Sequence, residues 1–137
     1  MIPMSWHDLL INRSFSNDEV VTAISQVFSV SPAYVLIVDD IAEAEVSEHI
    51  RVLCECLPAQ GDFSMKLFIY VCDSKLAQLD PELGIKQFCC ILHCKCLMSD
   101  SSVNPFTLLL VQESGDIQPV SLNPEQLDEN EEYILMK

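Results

Sequence analysis

Between Ile50 and Cys72 two apolar runs alternate at period two on either side of a turn-rich break, and an antiparallel hairpin is the arrangement that accommodates them. The arms are Ile50–Leu57 and Ser64–Cys72, rich in Val, Ile, Leu, Phe and Tyr, and Pro58 with Gly61-Asp62 supplies the turn chemistry. With Leu57 opposite Ser64, Cys54 meets Leu67, Val52 meets Ile69 and Ile50 meets Val71, so one face is wholly apolar. The same register sets Glu55 opposite Lys66, Leu53 opposite Phe68 and Arg51 opposite Tyr70, pairs that contribute roughly 0.2–1 kcal/mol each. A slip by one residue would turn Arg51, Glu55 and Lys66 into the core, which fixes the parity of both strands. The short connection cannot carry the crossover that parallel strands require.

The rest of the chain supplies elements to pack on this hairpin. Residues 5–13 fit a short helix capped by Ser5, with a short strand as the alternative. Ser16 followed by Glu19 is a capping box, and Val20, Ala23, Ile24, Val27 and Phe28 form a buried stripe, so a helix is expected over about 17–29, before Pro32. Tyr34–Val38 is continuously apolar and reads as an interior strand covered on both faces, while 41–49 reads as a loop with a helical turn. Asp80-Pro81 opens a second helix, over about 81–92, whose buried stripe is Ile85, Phe88, Cys89 and Leu92. Cys94–Met98 returns to strand alternation and ends at Asp100-Ser101-Ser102. Residues 106–122 form a second hairpin around Glu113–Asp116, and Pro119 assigns its last strand to a sheet edge. Asn123-Pro124 can start a helical turn, and Tyr133–Met136 a short closing strand. The expected fold is α+β: a mostly antiparallel sheet built on hairpins 50–72 and 106–122, with helices packed on it, in one compact domain over 1–137.

Charge narrows the functions available to such a domain. Against 21 acids stand only 7 bases, a formal net charge of −14, which argues against nucleic acid because phosphate binding requires a basic patch. Two groups of acids contain no base: Asp39, Asp40, Glu43, Glu45 and Glu48, and then Glu125, Asp128, Glu129, Glu131 and Glu132. Such clusters serve solubility, or they attract a basic protein. Apolar runs are of strand length and the N-terminal residues lack a basic leader, so neither a membrane span nor secretion is expected and the cytoplasm is the expected location. Seven cysteines, an odd number, suit reduced thiols in that compartment.

The candidate metal ligands are Cys90, His93, Cys94 and Cys96. Thiolate and imidazole suit zinc or cuprous copper, but paired zinc cysteines usually have two residues between them, and strand cysteines separated by one residue lie about 7 Å from each other. Cys54 and Cys89 fall on apolar stripes and are expected to be buried and metal-free. Asp39-Asp40 at a strand end is similar to the magnesium-holding acidic pair of phosphoacceptor receiver domains, although the preceding helix and following hairpin do not fit that fold. No phosphate-binding glycine loop, nucleophile elbow or metalloprotease helix is present, and His7, His49 and His93 sit on different elements.

The function expected from these residues is a non-enzymatic binding module of the inhibitor, immunity or adaptor type. It would present Asp39, Asp40, Glu43, Glu45, Glu48, Glu129, Glu131 and Glu132 to a basic protein partner, without a cofactor. A thiol- or metal-binding protein built around His93 is the alternative, and a small enzyme with an unrecognised pocket a further one. Pairing through a sheet edge would offer a route to a homodimer.

Overall fold

A computed structural model of the chain describes residues 3–100 and 104–136. It shows an α+β fold: one seven-stranded sheet, a small two-stranded ribbon and three helices. In chain order these are β1 (Met4–Ile11), α1 (Asn17–Phe28), β2 (Val35–Val38), β3 (Val52–Pro58), β4 (Gln60–Gly61), β5 (Met65–Val71), α2 (Pro81–Leu92), β6 (Cys96–Ser99), β7 (Thr107–Val111), β8 (Ile117–Ser121), α3 (Pro124–Asn130) and β9 (Glu132–Tyr133). The large sheet runs β2-β3-β5-β1-β6-β7-β8. Every pairing in it is antiparallel except β2 with β3. Ser101 and Ser102, taken from the sequence to end β6, lie outside the described residues.

The helices begin where their caps dictate. Ser16 and Glu19 form the reciprocal box at the start of α1, with Glu19 N–H donating to Ser16 Oγ and Ser16 N–H donating to Glu19 Oε1. Pro81 at the first turn of α2 needs no donor there. Both helices lie over one face of the sheet and close a core of Val20, Ile24, Phe28, Val52, Leu67, Ile69, Ile85 and Phe88, each 5% exposed or less.

Residues 4–11 form a strand and not the helix entertained from Ser5. Leu9, Leu10 and Ile11 are buried in succession, which a strand inside a two-faced core permits and a one-sided helical stripe does not. A register break between Ser5 and His7 turns Trp6 under the helices. There the indole stacks edge-on with Phe28, ring centres 4.8 Å apart, and donates from Nε1 to the Leu79 carbonyl at 3.0 Å. The central strand of the sheet is therefore β1. The continuously apolar β2, expected to be interior, is an edge strand with three of its four residues half-buried.

The central hairpin pairs antiparallel as expected, but two residues out of the expected register. Cys54 faces Ile69, Val52 faces Val71, Leu53 faces Tyr70, Glu55 faces Phe68 and Lys66 faces Leu57. A two-residue shift keeps every side chain on its face, so hydrophobic parity is indifferent to it. The decision falls to the turn, which is anchored away from the hairpin. Asp62 N–H donates to the Tyr133 carbonyl at 2.9 Å, Leu135 N–H donates to Asp62 Oδ2 at 2.9 Å, and Phe63 is buried. The supposed Glu55–Lys66 pair also has better uses: Glu55 Oε2 accepts Ile41 N–H at 2.8 Å, and Lys66 Nζ lies over the rings of Phe68 and Tyr133.

The second face of the sheet has its own cover. α3 and the C-terminal segment pack Leu127, Tyr133 and Leu135 on Leu10, Leu97 and Leu110. β4 and β9 pair in parallel beside it, and Gly61 there adopts φ +101°, with a Cβ placed on it falling 2.7 Å from the Tyr133 carbonyl oxygen. At the other end of this face the connection from β2 to β3, residues 39–51, forms turns without a helix, close to the expected loop. As expected, Pro119 lies in an edge strand, β8.

Candidate functional site

Two arrangements of polar and reactive side chains stand apart from the packing just described. The first is on the second face. Register puts Leu53, Glu55, Phe68, Tyr70 and Asp8 on that side of β3, β5 and β1, beyond the reach of α3. The 39–51 connection rises along one flank, tied down by the Ile41–Glu55 hydrogen bond. Between connection and sheet lies a cavity of about 710 Å³ with Tyr34, Ile41, Val46, Ile50, Leu53 and Tyr70 in its wall. Tyr34 is 38% and Val46 39% exposed, so part of this apolar wall faces solvent.

The polar lining of this cavity includes Glu48, His49, Arg51 and Asp73. Arg51 is held between Asp73, 3.6 Å away, and the Tyr34 ring, whose centre is 5.4 Å from the guanidinium carbon. Further along the same face, partial burial raises the Asp8 carboxyl and the Tyr70 phenol above their usual values, and the charges of Asp8 and Glu55 push Tyr70 further. Asp8 is an exposed residue, so water damps its shift. Of the predicted acids, Asp39, Asp40, Glu43, Glu45 and Glu48 all stand exposed on the 39–51 connection. Asp40 Oδ1 accepts Ala42 N–H at 2.9 Å, the work of a turn-forming carboxylate. The second group is carried by α3 and β9: Glu129 and Glu131 are exposed, while Glu132 is half-buried opposite Gln60. Both acid clusters thus flank one face, a placement that their separation in sequence conceals.

The second arrangement is a knot of thiols at the end of α2. Its C-cap, His93, takes the left-handed conformation at φ 53° and sends the chain back under the helix, with Cys94 N–H donating to the Cys89 carbonyl at 3.1 Å. Cys94 therefore precedes β6 in a turn. The spacing of two strand cysteines does not apply to it, and the sulfurs of Cys89, Cys94 and Cys96 all lie within 4.8 Å of one another. All three residues are 2% exposed or less. Cys90 and His93, candidates on sequence grounds, are not among them: Cys90 points outward from α2, and exposed His93 bonds Glu113 through Nδ1 at 2.6 Å. Cys89, assigned from its stripe to ordinary core packing, takes their place. No spacing rule identifies it; the signal is the end of a helix four residues on.

The three thiols share their protons. Hydrogen bonds from Cys89 and then Cys96 hold the Cys94 sulfur far below its usual value, with help from the Arg13 guanidinium against burial and Glu113. Its partners move the other way, Cys89 because of its bond to Cys94, Cys96 chiefly because of burial. Cys89 Sγ also reaches the Val111 carbonyl at 3.7 Å. The remaining cysteines are free thiols, Cys54 and Cys56 on β3 and Cys72 just after β5, and burial raises all three.

No protein family, curated protein or solved structure matches this chain. Among the described residues no helix is long and apolar enough to cross a membrane.

Proposed function

We propose that the protein is a non-enzymatic binding module whose second sheet face takes a basic, partly apolar segment of a protein partner. The observation that carries this reading is the apolar-walled cavity under a connection bearing five acids and no lysine or arginine between residues 39 and 49. Apolar side chains of a partner would enter the cavity beside Leu53 and Val46, while its cations meet Asp39 to Glu48 on one flank and α3 on the other. Two bases on this side have partners of their own: Lys66 lies over two aromatic rings, and Arg51, in the cavity wall, is held by Asp73 and the Tyr34 ring.

An enzyme reading has weaker support from the same cavity. Ser47 Oγ contacts His49 Nδ1, but the two are neighbours in one exposed turn, and among the described residues no carboxylate is bonded to His49 to orient it. A homodimer through a sheet edge is likewise less favoured, because β2 is four residues long and Pro119 interrupts the donors of β8.

The test uses a fluorescent peptide of alternating lysine and leucine, with the glutamate-leucine peptide as control. The lysine peptide alone is expected to bind, with association slowing several-fold between about 50 and 200 mM salt as the Debye length shortens. Val46→Ser should speed its release, and Glu43→Gln with Glu45→Gln and Glu48→Gln should slow its association. Binding that ignores charge, salt and these substitutions overturns the proposal.

A further inference from the structure

We propose that Cys89, Cys94 and Cys96 form a three-sulfur site for a soft d10 metal ion, cuprous copper in preference to zinc. The site is independent of the partner-binding face, since it lies on the helical side of the sheet, between the end of α2 and the β6–β7 pair.

Two observations carry it. Thiols used only as small apolar groups are satisfied wherever the core has room. Here three arrive from two elements and a left-handed turn to meet at one point. Their geometry suits an ion. A metal equidistant from sulfurs at the 4.8 Å limit would sit about 2.8 Å from each, against roughly 2.3 Å for a metal–thiolate bond, so each sulfur need approach by only about half an ångström.

The choice of ion follows from what surrounds the sulfurs. Structural zinc completes a tetrahedron. Among the described residues no fourth cysteine, histidine or carboxylate joins the group, and at 2% exposure or less the site has no open side for water. A monovalent soft ion that accepts three sulfurs, or two with the third close by, suits this better. The charge of the thiolates is also met in part: the Cys96 backbone N–H is aimed at the Cys89 sulfur, and the Arg13 guanidinium acts on Cys94. Arg13 is itself tethered by a hydrogen bond to the His93 carbonyl at 3.1 Å, on the turn that creates the site. Binding would displace thiol protons into solvent, one for each sulfur that becomes a thiolate ligand, with no change of oxidation state.

The experiment is an anaerobic titration of the reduced, full-length protein with copper(I) held by a chromophoric competing chelator. One equivalent should pass to the protein, with X-ray absorption showing sulfur scatterers alone around the copper and the thermal midpoint rising on loading. Cys89→Ser, Cys94→Ser and Cys96→Ser should each weaken retention at least about 100-fold, whereas Cys54→Ser and Cys90→Ser should not. The wild-type arms decide the matter even if a cluster variant fails to fold. Failure to take copper from the chelator, nitrogen or oxygen in the copper's shell, or loading with no rise in the midpoint overturns the proposal. Equal or tighter binding of zinc to the same cysteines overturns the choice of ion. The lysine-leucine peptide should bind the copper-free and copper-loaded forms alike, which separates this outcome from that of the partner-binding face.

Discussion

The two faces of the large sheet are built from alternate residues of the same strands and have opposite characters. Along β5, Leu67, Ile69 and Val71 are buried under the helices, while Lys66, Phe68 and Tyr70 on the other side are half-buried. The helical face is closed by two twelve-residue amphipathic helices meeting edge to edge. The second face is closed only over β1, β6 and β7, by a seven-residue helix and a two-residue strand, and elsewhere carries acids and aromatic rings. The contrast locates the stability of this chain on the helical side and the proposed recognition on the other. One side spends its residues on burial, and the other leaves apolar surface with charge around it, which is how docking faces look.

Thiol reactivity should show the largest contrast. Cys54, on the helical face, is 0% exposed and its thiol is raised by burial, whereas Cys90 is exposed on the outside of α2. Labelling of Cys54 must await an opening that costs most of the folding free energy, so Cys90 should react at least about a thousandfold faster. Mass spectrometry of timed alkylation checks this; comparable rates would mean that the helical face breathes.

Truncation gives the next largest contrast. Phe88→Ala on the helical face should cost about 3–5 kcal/mol in denaturant unfolding, and Phe68→Ala on the second face less than about 1.5 kcal/mol. Gly61→Ala probes the seam holding the C-terminal cover in place. It meets both a positive φ and the Tyr133 backbone, and about 2–3 kcal/mol should be lost, with faster hydrogen exchange in β9 while α1 and α2 stay protected.

A pH titration sharpens the comparison at lower amplitude. His7, packed against Trp6 with its Nε2 buried and unpartnered, has its pKa lowered by burial from 6.5. The unfolded chain therefore takes up a proton first as pH falls, and stability present above about pH 6.5 is lost below it. Asp8, facing the other way, has a raised pKa, so its contribution runs in the opposite sense. Stability rises as pH falls through its folded value towards 3.8. His7→Gln should flatten the loss between pH 7 and 5 and leave the weaker Asp8 effect visible in thermal midpoints. Smallest of all, Glu43→Gln, Glu45→Gln and Glu48→Gln should each move stability by no more than about 0.5 kcal/mol, since all three side chains are exposed.

What the sequence disclosed is what local chemistry decides. The capping box at Ser16, the Asp80-Pro81 start of α2 and the period-two arms of the hairpin act over a few residues, and the structure follows them. Long-range competition hid the rest. Hydrophobic parity is blind to a shift of two residues, so the hairpin register was settled by Asp62 and Phe63 reaching a segment seventy residues away. Apolar continuity marked β2 as interior, although centrality belongs to β1, whose run of three buried residues was masked by a plausible helix start. The acid clusters were legible as clusters but not as two flanks of one face. Of the thiols, spacing counted along the chain selected Cys90 and His93. The left-handed turn at His93 instead brought Cys94 back to Cys89, and no sequence interval encodes that reversal.

The central place of β1 also governs the order in which the molecule can be assembled. Its two neighbours in the sheet, β5 and β6, begin at Met65 and Cys96. On a ribosome adding 5–20 residues per second, about 3–12 s pass between synthesis of Ile11 and completion of Val71, and longer before Cys96 emerges. Through that interval Leu9, Leu10 and Ile11 lack both of their strand partners. Closing the sheet around them requires long loops to be bridged, so this topology folds more slowly than a sheet of sequential hairpins of the same size.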